Sequence, residues 1–184
     1  QREGIRMKKI INDVQHVVRD MLAGFCFEHK ERVSYEPKHN IVYRKDLKDI
    51  REEVVVISGG GSGHEPAHYG YVGKGMLSIS VNGEIFTPPT TEQIVAAIRM
   101  IDKNKRVLLI VKNFKADLES FLMAESIAQK EGWNVDHVIV RELICVRLLF
   151  SADHLVYSAL VLVTEIVEIL LVKALLCAEV LVAE

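Results

Sequence analysis

Cysteine is scarce in this chain and badly placed for bridging. Cys26, Cys145 and Cys177 are odd in number, widely spaced and never form a CxxC pair. Neither a structural zinc site nor a disulfide framework is indicated, and reduced thiols in a cytoplasmic protein are the expectation. An excess of one charge is also missing. Lys and Arg number 23 against 25 Asp and Glu, for a net charge of −2. Such a chain has no electrostatic footprint for nucleic acid or for an anionic membrane surface. No cationic stretch followed by an apolar core stands near the start, so no secretory signal is expected. Residues 1–6 precede the Met-Lys-Lys at Met7 and are set apart as an extension, outside the fold.

Glycine and proline vanish partway along. All 11 glycines and all 4 prolines lie at or before Gly132. The region 141–184 is instead dominated by Leu, Val, Ile and Ala. It lacks a long uncharged run: the longest there is Leu155 to Thr164, well short of the roughly 20 apolar residues a spanning helix needs. Glu165, Glu168, Lys173, Glu179 and Glu184 fall on one side of a helical wheel. The tail therefore reads as an amphipathic helix packed on a core or a partner, not as a membrane span.

What is present is an alternation of helix and strand. The 184 residues suit one domain, or one domain plus a fragment. Val14, Val17, Val18, Met21 and Leu22 predict a helix from Ile10 to about Gly24, with the glycine as its stop. The stretch from about Phe27 to Asp49, which holds Pro37, is polar and reads as irregular. Val54 to Ile57 is a short continuous apolar run, the pattern of a strand buried on both faces. Thr90 and Gln93 have capping-box spacing and open a helix carrying Ile94, Ala97, Ile98 and Ile101 on one side. Arg106 to Val111 predicts a second buried strand. Asp117 to Glu131 predicts a helix stopped by Gly132, and Val135 to Val140 a third strand. Together these give an α/β fold with a mostly parallel sheet and flanking helices.

Between the first strand and the next helix lies SGGGSGHEP, Ser58 to Pro66, read as a glycine-rich loop. Glycines let a backbone approach a ligand closely, and their N–H groups can donate to its oxygens. A Walker loop would end Gly-Lys-Ser/Thr, whereas this one ends Gly-His-Glu-Pro. A dinucleotide loop would need glycine at Pro66. The chain thus shows no nucleotide site of its own. His64 is placed either to act as a general base or to orient the loop. His68, four residues on, could pair with it on a metal, but no third ligand is placed and no metal site is expected. Lys112, Asn113 and Asp117 follow the second buried strand, where open α/β sheets bind ligands. Lys112 could hold a ligand oxygen or be solvated. Asp117 could receive a proton or simply favour the helix N-terminus.

Four stretches carry a resemblance: MKKIINDV at Met7 to Val14, VISGGGSGHEPAHYGYVGKGML at Val56 to Leu77, NGEIFTPPT at Asn82 to Thr90, and LLIVKNFKAD at Leu108 to Asp117. In order and spacing they resemble the substrate-binding subunit of dihydroxyacetone (glycerone) kinases, over residues 7–140. The resemblance implies the first domain of that fold, truncated, followed by a non-matching tail at 141–184. It implies that Gly61, Ser62, Gly63 and His64 hold the triose, with His64 as acid/base on its hydroxyl. It implies that Lys112 and Asp117 bind substrate too, the aspartate also assisting proton transfer. ATP or ADP with magnesium would sit on a partner subunit or domain, with no cofactor in this chain, and a homodimer is implied.

The family subunit is longer and carries a further histidine that bonds covalently to the substrate carbonyl. Here His137 lies in a strand and His154 in the non-matching tail, and neither is in that context. Some paralogues of the subunit sense dihydroxyacetone as coactivators of a transcription regulator, which is the alternative implied.

Overall fold

The computed structural model describes residues 10–140 of the chain. The amphipathic tail expected at 141–184 and the extension at 1–6 lie outside the described residues. Six strands form one sheet in the order β1-β2-β4-β3-β5-β6. They are β1 (Val33–Glu36), β2 (Ile41–Arg44), β3 (Val54–Ser62), β4 (Ile79–Ile85), β5 (Arg106–Lys112) and β6 (Asn134–Val140). The pairings β4–β3, β3–β5 and β5–β6 are parallel, while β1–β2 and β2–β4 are antiparallel. The expected mostly parallel α/β sheet is what forms.

The run Val54 to Ile57 is buried from both sides, as its composition requires. Val55 and Ile57 enter a core with Ile94, Ile98, Phe121 and Ala124, supplied by α2 (Thr91–Arg99) and α3 (Lys115–Lys130). Val56 points the other way, into a core with Val18, Leu22, Tyr69 and Leu77. That second layer comes from α1 (Val17–Glu28) and the segment joining β3 to β4. Phe121 is fully buried, and truncating such a side chain costs about 3–5 kcal/mol. Helix α2 starts as its sequence directs. Thr90 Oγ1 accepts from Gln93 N–H, and Gln93 Oε1 accepts from Thr90 N–H at 2.8 Å.

Several expectations give way. Helix α1 begins at Val17 and runs through Gly24 to Glu28, burying Val18, Leu22 and Cys26 and leaving Val14 exposed. Spacing of four residues along one face, set by the core beneath, outweighs the helix-weakening glycine. The stretch read as irregular contains the β1–β2 hairpin. Its strands are only four residues long, and Asn40 takes positive φ at the turn. Strand β4 carries small polar residues, Ser80 and Asn82, in a fully buried position. These satisfy one another: Ser80 Oγ donates to Asn82 Oδ1 at 2.9 Å, and Asn82 Nδ2 donates to the Asn40 carbonyl at 2.9 Å. The largest change concerns the glycines. Strand β3 does not end at Ile57 but continues through Ser62, with Gly59, Gly60 and Gly61 paired to Val81, Asn82 and Gly83.

Candidate ligand-binding edge

The connection leaving β3 leads to β4 on one side, while the one leaving β5 leads through α3 to β6 on the other. Diverging connections open a crevice outside the carboxyl ends of two parallel strands, the habitual ligand position in open α/β sheets. The residues singled out from sequence gather at this edge.

Gly60 forms its floor. A Cβ built on Gly60 would lie 2.1 Å from Lys112 Nζ and 2.9 Å from His68 Cε1. Glycine is what allows the lysine ammonium to lie flat on strand backbone. From the end of β5, Lys112 reaches Asp117 in the first turn of α3, Nζ to Oδ1 at 3.5 Å. Both side chains are largely buried, at 13% and 8% exposure. The Asp117 Oδ1 atom has no hydrogen bond among the described residues. A buried acceptor in that condition calls for a donor, and a ligand hydroxyl would supply one. The helix N-terminus also favours the carboxylate there, a role compatible with ligand binding.

The other side of the edge is built from the end of β3 and the loop after β4. Gly61 packs against that loop: its Cβ would come within 2.7 Å of Thr87 N. Ser62 is buried, and its hydroxyl donates to the Gly83 carbonyl at 2.8 Å while its carbonyl accepts from Phe86 N–H at 2.8 Å. Gly63 has φ +111°, in the region that only glycine adopts freely, and a Cβ there would meet the Phe86 ring at 2.7 Å. Its N–H donates to Glu65 Oε1 at 2.9 Å. His64 follows, exposed to solvent, with its ring 5.3 Å from that of Phe86.

His64 and the Lys112–Asp117 pair thus share one edge of the sheet without touching each other; a ligand between them would bridge the two sides. His68 is buried against Gly60 while His64 is exposed, and among the described residues no cluster of three metal-ligating side chains forms. Two residues stand at this edge in a way the sequence reading did not foresee. Phe86 is one, and its signal was its place in the Asn82 to Thr90 stretch. His68 is the other: weighed in sequence only as a metal partner of His64, it is buried against Gly60 beside Lys112, and nothing local marks its inward turn.

Fold and site together define an α/β domain whose candidate ligand edge is paved with glycine. The chain belongs to the Dak1 domain family, whose model matches residues 23–151. It is 44% identical over 140 residues to the dihydroxyacetone-binding subunit DhaK of a PTS-dependent dihydroxyacetone kinase of Lactococcus lactis, covering 76% of this chain and 42% of that protein. To the DhaKLM operon coactivator DhaQ of the same organism it is 40% identical over 139 residues, with 76% and 42% covered. The crystal structure of the dihydroxyacetone kinase from C. freundii in complex with AMP-PNP and Mg2+ superposes with a TM-score of 0.69. It is 37% identical, with 76% of this chain and 26% of that chain covered. The chain spans less than half the length of the curated relatives it matches.

Proposed function

We propose that this chain is the triose-holding portion of the substrate-binding subunit of a dihydroxyacetone kinase. The observation that carries the reading is the buried Asp117 Oδ1, ion-paired to Lys112 at 3.5 Å over bare Gly60 backbone and without a hydrogen bond among the described residues. A hydroxyl of dihydroxyacetone donates to Asp117, and Lys112 donates to an oxygen of the same molecule. The Gly61–Ser62–Gly63 backbone closes the other side. His64, exposed at the same edge, takes the proton of the hydroxyl that is phosphorylated. Proton transfer of this kind contributes about 100- to 10,000-fold. Nucleotide and magnesium belong to a partner subunit or domain, since this chain has neither a Walker loop nor a dinucleotide loop. Residues 7–140 form the binding domain, followed by an apolar stretch at 141–184 into whose first residues the family match runs, in a cytoplasmic homodimer.

His64→Ala and Asp117→Asn test this with the full chain and a nucleotide-bearing kinase subunit. Both substitutions should abolish turnover. Near-normal turnover in both would remove the site assignment. Binding of the triose by these groups should be reversible, with a dissociation constant on the order of millimolar, about −4 kcal/mol. A triose adduct on His137 or His154 in intact-mass spectra would contradict that.

A second reading has its own support in the 40% identity to an operon coactivator: triose binding without phosphoryl transfer, sensed by a transcription regulator. No described residue among the site positions separates the two readings. They differ in outcome: turnover on adding the kinase subunit marks the first, and triose-dependent affinity for a regulator without turnover marks the second.

A further inference from the structure

We infer that Phe86 is a positioning residue that fixes the imidazole of His64. The inference rests on the reading of His64 as the proton acceptor. Phe86 has φ 52°, left-handed backbone that a bulky residue adopts only at a cost in free energy. That cost is not offset by burial, because the side chain is 70% exposed. Backbone strain at an exposed aromatic asks for a reason at the ring itself. The ring's aromatic contact is His64, at 5.3 Å between centroids and 61° between planes, an edge-on arrangement. Its Cε1 also lies against Gly63, close enough that any side chain at position 63 would displace it.

The strained backbone is held in place from the strand that carries the histidine. Phe86 N–H donates to the Ser62 carbonyl at 2.8 Å, and Ser62 Oγ donates to Gly83 at 2.8 Å. One residue, Gly63, separates that anchor from His64. The loop after β4 is thereby keyed to the end of β3, and the Phe86 ring projects from it onto the imidazole. An exposed histidine otherwise samples several rotamers, and a base must hold one geometry toward the proton it accepts.

Four full-length variants test the assignment: Phe86→Ala, Phe86→Gly, Phe86→Tyr and, to identify its resonance, His64→Gln. Glycine relieves the strain while removing the ring, so Phe86→Gly should unfold at no lower temperature than the parent. In Phe86→Ala and Phe86→Gly the His64 imidazole resonance should move toward its random-coil position as the ring current is lost. With a nucleotide-bearing kinase subunit present, kcat should fall about tenfold or more with KM little changed. Phe86→Tyr should keep both the resonance and kcat. An unmoved His64 resonance in Phe86→Gly would overturn the inference. So would a loss in Phe86→Tyr equal to that in Phe86→Ala, or a loss confined to KM. Absence of turnover in the parent would remove the kinase reading alone, and the resonance would still decide whether Phe86 orders His64.

Discussion

Gly60→Ala should separate the binding site from the fold. The added Cβ would lie 2.1 Å from Lys112 Nζ, and ordinary contact begins at 3.4 Å, so the ammonium must retreat by about 1.3 Å, the difference between the two. If the retreat lengthens the 3.5 Å separation from Asp117 by that amount, their attraction falls by about 1 kcal/mol at an effective dielectric of about 20. That energy corresponds to roughly a fivefold weaker hold on any ligand that needs both groups in place. The strand itself survives, because the obstructing atoms belong to side chains, chiefly the flexible end of Lys112 with the His68 ring edge at 2.9 Å, and position 60 has no positive φ.

Gly59 and Gly83 provide the contrast. A Cβ there would meet the Val81 carbonyl oxygen at 2.1 Å and the Thr87 carbonyl oxygen at 2.0 Å, which are fixed backbone. Gly59→Ala and Gly83→Ala should therefore lose several kcal/mol of stability, about 1–3 kcal/mol or more by overpacking alone. Urea denaturation of the three variants, with dihydroxyacetone titrated by NMR into Gly60→Ala and the parent, checks both halves. The reasoning fails if Gly60→Ala unfolds as easily as Gly59→Ala, or if it binds the triose as the parent does.

Other variants probe the surroundings. Arg44 is buried and grips Asp46 with two hydrogen bonds, at 2.9 and 2.8 Å, which hold the Asp46 carboxyl below the usual carboxylate range. The stability from this pair is complete above the unfolded carboxyl value of about 3.9 and is lost as pH falls through the lower folded value. Arg44→Met should accordingly flatten the acid limb of a stability profile between pH 6 and pH 2 (about the range over which carboxylates titrate). Burial pushes the Cys26 thiol up to about 11, so mass-spectrometric mapping at pH 8 should find it unalkylated until the protein unfolds. Gly24 sits exposed inside α1 with nothing within 4 Å of an added Cβ; Gly24→Ala should raise stability by about 0.5–1 kcal/mol in urea melts.

The parts of the fold legible in sequence are those where one local rule is unopposed. The capping box at Thr90 and Gln93 forms as written. The apolar runs at Val54 and Arg106 become central strands, because continuous Val, Ile and Leu can be buried on both faces. What failed to show depends on partners distant in sequence. Ser80 and Asn82 look like turn residues, yet they are buried in β4 because they hydrogen-bond each other and the Asn40 carbonyl, 42 residues away from Asn82. The β1–β2 hairpin is too short for its period to stand out. Glycine at position 24 signals a helix end only if nothing beneath continues the face, and Cys26 continues it.

The glycines at 59–61 are the instructive case. Composition alone makes such a run a loop, since glycine weakens a strand and offers no side chain to pack. Here the absent side chains are the point. Val81, Lys112 and Thr87 each come in from a different direction, and each occupies the space where a Cβ would otherwise stand. The segment keeps strand geometry because β4 pairs with it throughout and β5 as far as Ser58. A strand end that is both rigid and bare can bring an ammonium, a carboxylate and backbone within reach of a ligand as small as a triose. A flexible glycine loop would have to lose its own conformational entropy first, at roughly 1–2 kcal/mol per residue ordered. For a ligand whose binding energy is only a few kcal/mol, that difference alone decides between a site and no site. The strand character of Gly59 to Gly61, invisible in composition, is thus the feature on which the proposed triose binding most depends.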